Sequence, residues 1–235
     1  MEDEDLDYLP PPAGRALPMA CAAYVGSIVL ALIAFSIVQE GDQSIEDLGG
    51  SELFAVNLPA ALAIAAAAFA LAAPGGDPFR ALRLRASRWS AVVIGFGVGG
   101  LSQLALVPLY KPILWLFDGD VGAEAEELTA QFADSELWLL VVMVAVIAPC
   151  AEELFFRGFI QGSLERSTRP AIAVPVSAII FAAAHFQLLQ LPGLFFFGLV
   201  SGILLVRYQR LSVSIAAHVG FNSVGVVGLL ADRLG

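Results

Sequence analysis

The chain has 235 residues, of which 58% are hydrophobic and only 14% are charged. So few charges cannot cover the surface of a soluble domain, and the hydrophobic residues come in blocks of about twenty, the length that crosses a bilayer core of about 30 Å. Acidic residues outnumber basic ones by 22 to 12, giving a formal net charge of −10, so a nucleic-acid partner is not expected. The sequence therefore predicts a membrane protein.

The hydrophobic blocks, taken in chain order, predict seven helical spans. An acidic leader over residues 1–17 precedes them, and its first eight residues lack the basic residues of a secretory signal, so no cleaved leader is expected. The spans are expected at residues 18–39, 53–73, 89–117, 137–160, 171–189, 194–206 and 211–230. The fold class is thus an all-α polytopic bundle, with amino-terminal spans and loops at 18–136 and a second set of spans at 137–230.

The arginines predict the orientation of these spans, because short cytoplasmic loops carry an excess of Lys and Arg. If the amino terminus is inside, every short basic segment falls on the cytoplasmic side, namely Arg15, Arg80 to Arg88, Arg166 with Arg169, and Arg207 with Arg210. The two acid-rich loops then lie outside. We therefore expect a multi-pass protein of the cell membrane with a cytoplasmic amino terminus.

Two pairs of glycines are spaced four residues apart, Gly95 with Gly99 and Gly198 with Gly202. Small residues at this spacing let two helices approach closely. We interpret both pairs as packing contacts within one bundle rather than as a dimer or ligand site.

Six polar residues lie inside spans that would normally exclude them. Each charged residue near a helix centre costs about 2.5 to 3.5 kcal/mol on the insertion scale, so such residues are kept mainly where they act. Taken singly, each also fits a solvated helix boundary or a satisfied core hydrogen bond. The set is Glu152, Glu153, Arg157, His185, His218 and Asn222. Together, at helical spacings, these residues favour a functional site within the membrane.

Helical spacing separates the roles of the two glutamates. Glu153 and Arg157 are four residues apart, share a helix face and are expected to form an ion pair. Glu152 lies about 100° round the helix, so it cannot share Arg157 equally well. We predict that Glu153 and Arg157 organise the site and that Glu152 is left to do chemistry.

General-base catalysis accounts for the remaining residues. Glu152 would take a proton from a water molecule that attacks a peptide carbonyl, with His185 helping to hold this water. His218 and Asn222, four residues apart on the seventh span, would donate hydrogen bonds to the oxyanion that develops. The chain contains only these two histidines, and both fall in spans where a bystander would be costly.

Three short motifs carry a resemblance to a known family. Residues 152–157 read EELFFR, an EExxxR pattern, residues 181–185 read FAAAH, an FxxxH pattern, and residues 218–222 read HVGFN, an HxxxN pattern. In this order they resemble the CPBP family of intramembrane proteases, which groups CAAX prenyl endopeptidases with bacteriocin-processing and self-immunity proteins. The resemblance covers residues 137–230, which makes these the catalytic helices, while the first three spans match only in being hydrophobic.

The resemblance implies an intramembrane endopeptidase that acts on a membrane-embedded or lipidated peptide or protein. It implies the same roles for the matching residues: Glu152 activates water, His185 assists, and His218 with Asn222 stabilises the oxyanion. It also implies an active site that opens to the cytoplasm. Because members of the family commonly have eight spans, the expected count is seven or eight.

The resemblance leaves two mechanisms open. The family has been labelled metalloprotease, and Glu152, His185 and His218 would make an acceptable three-ligand zinc site with an open water position. Glu153 would then be the base. We favour the mechanism without a metal or other cofactor, because a carboxylate and a histidine can already activate water.

Two other functions compete with proteolysis. A membrane scaffold or immunity protein that binds a partner helix would have no need of a complete set of base, histidine and oxyanion donors. A proton-coupled transporter also buries Glu and His, but it would usually show repeated halves or matching broken helices. Neither the substrate nor the oligomeric state follows from the sequence.

Overall fold

A computed structural model of the protein describes residues 10–39, 41–117, 127 and 129–234. Within these ranges the chain is helical and has no strand, which confirms the predicted all-α class. Residues 1–9 of the acidic leader and residues 118–126 after the third predicted span lie outside the described residues. The helices are α1 (Ala13–Val38), α2 (Gly50–Ala72), α3 (Pro78–Ala81), α4 (Trp89–Phe117), α5 (Asp134–Ser167), α6 (Pro170–Ala184), α7 (Leu191–Tyr208) and α8 (Leu211–Leu234).

In the described part of the chain, six helices are long and apolar enough to cross a membrane: α1, α2, α4, α5, α7 and α8. The predicted end of the fifth span, at residue 189, is wrong, because α6 has 15 residues and ends at Ala184. The chain turns there with Phe186 at a φ of 57°, a left-handed conformation that does not continue a helix. The sixth predicted span, 194–206, is in turn too short, because α7 runs over Leu191–Tyr208. The count of seven or eight spans stays a prediction.

Helix α5 is the central element of the bundle, in contact with α1, α2, α6, α7 and α8. It is not a uniform α-helix, because the stretches Met143–Ile147 and Glu153–Gln161 have π-helical hydrogen bonding. Such stretches occur frequently at functional sites. The second stretch begins at one of the predicted site residues and is almost completely buried.

The arginine-rich segments meet at one end of the bundle. The backbone N–H of Ala13, at the start of α1, donates to Ser167 Oγ at the end of α5 over 2.9 Å. Arg83, in the turn after α3, pairs with Glu165 near the end of α5. The backbone N–H of Leu211, the first residue of α8, donates to the carbonyl of Arg83 over 3.1 Å. Because the long helices alternate in direction, this end carries the basic residues that the orientation prediction placed in the cytoplasm.

Glycines let α4 and α8 approach closely. On α4, Gly95 and Gly99 face the backbone carbonyls of Val213 and Ala217 on α8, and a Cβ atom at Gly99 would overlap the Ala217 carbonyl. The interpretation of this pair as a packing contact within the bundle is confirmed. The contact matters for the site, because α8 carries two of the predicted site residues.

We expect Gly99→Ala to destabilise the protein and Gly97→Ala to leave it unchanged or slightly more stable. The methyl group at residue 99 would push α4 away from α8, at a cost of about 1 to 3 kcal/mol. Gly97 lies on the same helix with nothing within 4 Å of a Cβ atom, and alanine favours a helix over glycine. The measurement is the midpoint of heat-induced loss of folded protein in detergent. Equal midpoints for the two variants would contradict the close approach of α4 and α8.

Candidate active site

Two histidines from different helices face the carboxylate of Glu152. The Nε2 atom of His185, just beyond α6, and the Nε2 atom of His218, on α8, each lie 3.8 Å from Glu152 Oε2. Both separations are longer than a hydrogen bond, and contacts of this length are where a bridging water is expected. The carboxylate side chain keeps 21% of its surface exposed, so it is accessible.

Hydrogen bonds on the other ring nitrogen assign the tautomer of each histidine. His185 Nδ1 lies 2.8 Å from the carbonyl oxygen of Phe181, and because a carbonyl only accepts, Nδ1 carries the proton. His218 Nδ1 lies 3.0 Å from Glu153 Oε1. Because an ionised carboxylate also only accepts hydrogen bonds, this Nδ1 carries the proton as well. In its neutral form each ring therefore presents an unprotonated Nε2 atom towards Glu152.

Glu153 and Arg157 form the predicted ion pair, fully buried. Both side chains have 0% of their surface exposed, and Arg157 Nε lies 3.8 Å from Glu153 Oε2. The hydroxyl of Ser201 donates to the same oxygen over 2.7 Å. Arg157 Nη1 donates to the hydroxyl of Ser177 over 2.9 Å, and the guanidinium lies 4.9 Å from the centre of the Phe181 ring. Buried charges need such partners, because an unpaired one is strongly destabilising.

Sequence reasoning missed the partners that come from neighbouring helices. It assigned His218 only to the oxyanion, whereas the structure also places His218 between the two glutamates, bonded to Glu153 and facing Glu152. It also missed the hydroxyls of Ser177 on α6 and Ser201 on α7. A polar residue next to the spaced glycine Gly202 in an apolar span was the available signal for Ser201.

A cavity of about 670 Å³ lies in front of Glu152, a volume in the range of ligand pockets. His185 and Asn222 line it too. The Nδ2 atom of Asn222 also donates a hydrogen bond to the carbonyl of Val144 over 2.8 Å. The other walls are largely apolar and come mainly from α1, α2 and α5; the polar side chains among them are Tyr24, Ser27, Asn57, Gln187 and Gln190. The structure thus gathers five of the six predicted residues in one cluster, in which both histidines face Glu152, whereas Glu153 is bonded to His218 and paired with Arg157. It places Asn222 on the same cavity.

The cavity extends from the middle of the bundle towards the end remote from the arginine-rich segments. Its lining lies mainly within residues 24–32 of α1, 53–64 of α2 and 140–156 of α5, and in the turn between α6 and α7. The arginine-rich segments are at the opposite ends of these helices. If the amino terminus is cytoplasmic, the cavity therefore extends towards the non-cytoplasmic side; the predicted orientation and the predicted opening of the site to the cytoplasm both stay predictions.

The zinc alternative requires three ligands around one point. Within the described residues, no three His, Cys, Asp or Glu side chains have the arrangement of a metal site. The ligand atoms of Glu152, His185 and His218 come closest, but each histidine nitrogen is 3.8 Å from the carboxylate oxygen. Tetrahedral zinc with bonds of about 2.0 to 2.1 Å holds its ligand atoms about 3.4 Å apart. Each histidine nitrogen thus lies farther from the carboxylate oxygen than in a tetrahedral zinc site, and the choice between the metal-free and the zinc mechanism stays a prediction.

The fold and the site define a polytopic helical membrane protein with a carboxylate and two histidines inside the bundle. Residues 134–224 match the family described as type II CAAX prenyl endopeptidase Rce1-like. The UPF0177 protein YbdI of Lactococcus lactis is 30% identical over 137 residues, which are 56% of this chain and 68% of that protein. The membrane-embedded CAAX protease MroQ of Staphylococcus aureus is 33% identical over 95 residues, 38% of each chain.

The chain therefore belongs to the CPBP family of CAAX proteases, as its motifs predicted. YdiL of Bacillus subtilis is a further relative, 30% identical over 89 residues. The matched stretch covers only 36% of YdiL and 38% of MroQ. No solved structure matches the chain significantly. All six site residues fall within residues 134–224, and α1 to α4 lie outside this range.

Proposed function

We propose that the protein is an intramembrane endopeptidase in which Glu152 activates a water molecule. The observation that carries the proposal is the approach of both histidine Nε2 atoms to the Glu152 carboxylate beside a cavity. Membership of a family of CAAX proteases supports peptide hydrolysis as the reaction. The geometry of the site supports the roles that we propose for its individual residues.

In the proposed reaction, a water held between Glu152 and His185 attacks the carbonyl carbon of a peptide bond. Glu152 accepts one water proton, while the unprotonated Nε2 of His185 accepts a hydrogen bond from the other O–H group. The water oxygen forms a bond to carbon, and the carbonyl oxygen becomes an oxyanion. The proton then moves from Glu152 to the leaving nitrogen as the C–N bond breaks, which restores the carboxylate.

Asn222 and His218 are the proposed oxyanion donors. The Nδ2 group of Asn222 has two N–H bonds, and only one is needed for the carbonyl of Val144, so the other is available to the cavity. His218 has its Nδ1 proton committed to Glu153, so it donates from Nε2 only when it carries a second ring proton. The buried pair of Glu153 and Arg157 acts through His218 by fixing the orientation of its ring.

A membrane-embedded or lipidated peptide is the proposed substrate, because the cavity has largely apolar walls within the bundle. We further propose a cytoplasmic amino terminus in the cell membrane, from the arginine distribution. The cavity then extends from the middle of the bundle towards the non-cytoplasmic side. A membrane-impermeant thiol reagent applied to intact cells should label Gln190→Cys and spare Arg85→Cys. The reverse pattern would place the amino terminus outside.

The test of the proposed function is a search for new peptide termini by mass spectrometry. Membranes of the host are incubated with the purified protein, with and without a zinc chelator, and compared with membranes that receive no protein. New internal termini are expected in both treated samples. Termini that disappear with the chelator would overturn the metal-free mechanism. If no sample contains new termini, the proposed peptidase activity is wrong, and a scaffold or immunity protein is favoured.

A further inference from the structure

We infer that Tyr24 of α1 is a positioning residue that holds His185 against Glu152. The inference rests on the proposed function, because it assigns to Tyr24 the placement of a group in that reaction. Tyr24 lies outside the 134–224 stretch that matches the family and belongs to none of the three motifs. Its role would make the amino-terminal half of the chain part of the active site.

A single hydrogen bond links Tyr24 to the end of α6. The Tyr24 hydroxyl donates to the carbonyl oxygen of Ala184 over 2.6 Å. Ala184 is the last residue of α6, and the last carbonyls of a helix have no partner within that helix. His185 is the next residue, so this bond ties the backbone beside the histidine to α1.

Two of the side chains just beyond His185 pack little against the rest of the protein. Phe186 and Leu188 have 78% and 84% of their surfaces exposed, and Phe186 has a positive φ. A helix end followed by a turn with few packed side chains opens more readily than a helix centre. The link from Tyr24 to Ala184 therefore opposes a displacement that would carry His185 away from the carboxylate.

Tyr24 is itself fixed by α5, the helix that carries Glu152. Its ring is stacked on Phe155 with centroids 6.3 Å apart, and it meets Phe156 edge-on at 6.1 Å. Two ring contacts of this kind hold the hydroxyl in a defined place. Tyr24 thus connects the helix bearing Glu152 to the end of the helix preceding His185, and it lines the same cavity as both.

The test compares Tyr24→Phe with a matched control, Tyr110→Phe. Tyr24→Phe keeps the ring and removes the hydroxyl, and we expect kcat for the cleavage found with wild type to fall about 10-fold or more with KM nearly unchanged, since misplacement by about 1 Å costs up to about 100-fold. The Tyr110 hydroxyl accepts from the backbone N–H of Gly193 over 3.0 Å, linking α4 to α7 away from the cavity. We expect Tyr110→Phe to lower the thermal midpoint similarly and to keep the wild-type kcat. An equal kcat in the two variants would overturn the inference.

A second readout does not depend on activity. Because the chain has only two histidines, selective ¹⁵N labelling gives two sets of imidazole NMR signals, which a His218→Gln variant assigns. Tyr24→Phe should shift or broaden the signals of His185 and leave those of His218 in place, and Tyr110→Phe should alter neither. Unchanged His185 signals in Tyr24→Phe would overturn the inference. If the wild-type protein cleaves no peptide, the proposed function is wrong. The NMR result would still show whether Tyr24 positions His185.

Discussion

Glu152→Gln is expected to abolish peptide cleavage without unfolding the protein. The substitution keeps the size and shape of the side chain but removes the carboxylate that takes the proton of water. General-base catalysis typically contributes about 10² to 10⁴ in rate, so cleavage should fall at least about 100-fold. The side chain faces a cavity and is partly exposed, so an amide is accommodated there without a buried charge being left alone.

The measurement is the rate at which the termini found with wild type appear, together with the thermal midpoint of the same preparations. Glu46→Gln is a matched control, because this substitution also removes one negative charge, at an exposed position in the turn Ile45–Asp47. It should retain wild-type cleavage. Full activity of Glu152→Gln would rule out Glu152 as the base and leave Glu153 as the candidate for this role.

Arg157→Ala is expected to cause the largest loss of stability of any single substitution at the site. It leaves the carboxylate of Glu153 buried without its cation, and breaking a buried pair in this way costs about 3 to 5 kcal/mol. It also removes the bond to Ser177 and the contact with the Phe181 ring. The midpoint of unfolding in detergent, or the yield of folded protein where none survives purification, measures the effect.

Two further variants separate the ion pair from a general loss of arginine. Arg207→Ala removes an exposed arginine on α7 and should shift the midpoint little. The double variant Glu153→Ala with Arg157→Ala leaves no charge unpaired, so its loss should be smaller than the sum of the single losses. Strictly additive losses would show that the two charges do not stabilise each other.

The sequence by itself determined the class of fold, the motifs and one side-chain pair. A bilayer requires every backbone hydrogen bond to be satisfied internally, so long apolar blocks must be helices. The residues of the site stood out because ionisable side chains are rare in such blocks. The pairing of Glu153 with Arg157 followed from their spacing, since both lie on one helix and a local rule governs the contact. The general-base role of Glu152 remains a prediction.

Only the tertiary structure decided the contacts between helices. The bond from His218 to Glu153, the hydroxyl of Ser201 on the same carboxylate and the link from Tyr24 to Ala184 each join distant parts of the chain. Such contacts depend on how far each helix is rotated and shifted against its neighbours. Periodicity within one helix contains no information on that placement. The early end of α6 and the position of the cavity were decided in the same way, by the packing of several helices around α5.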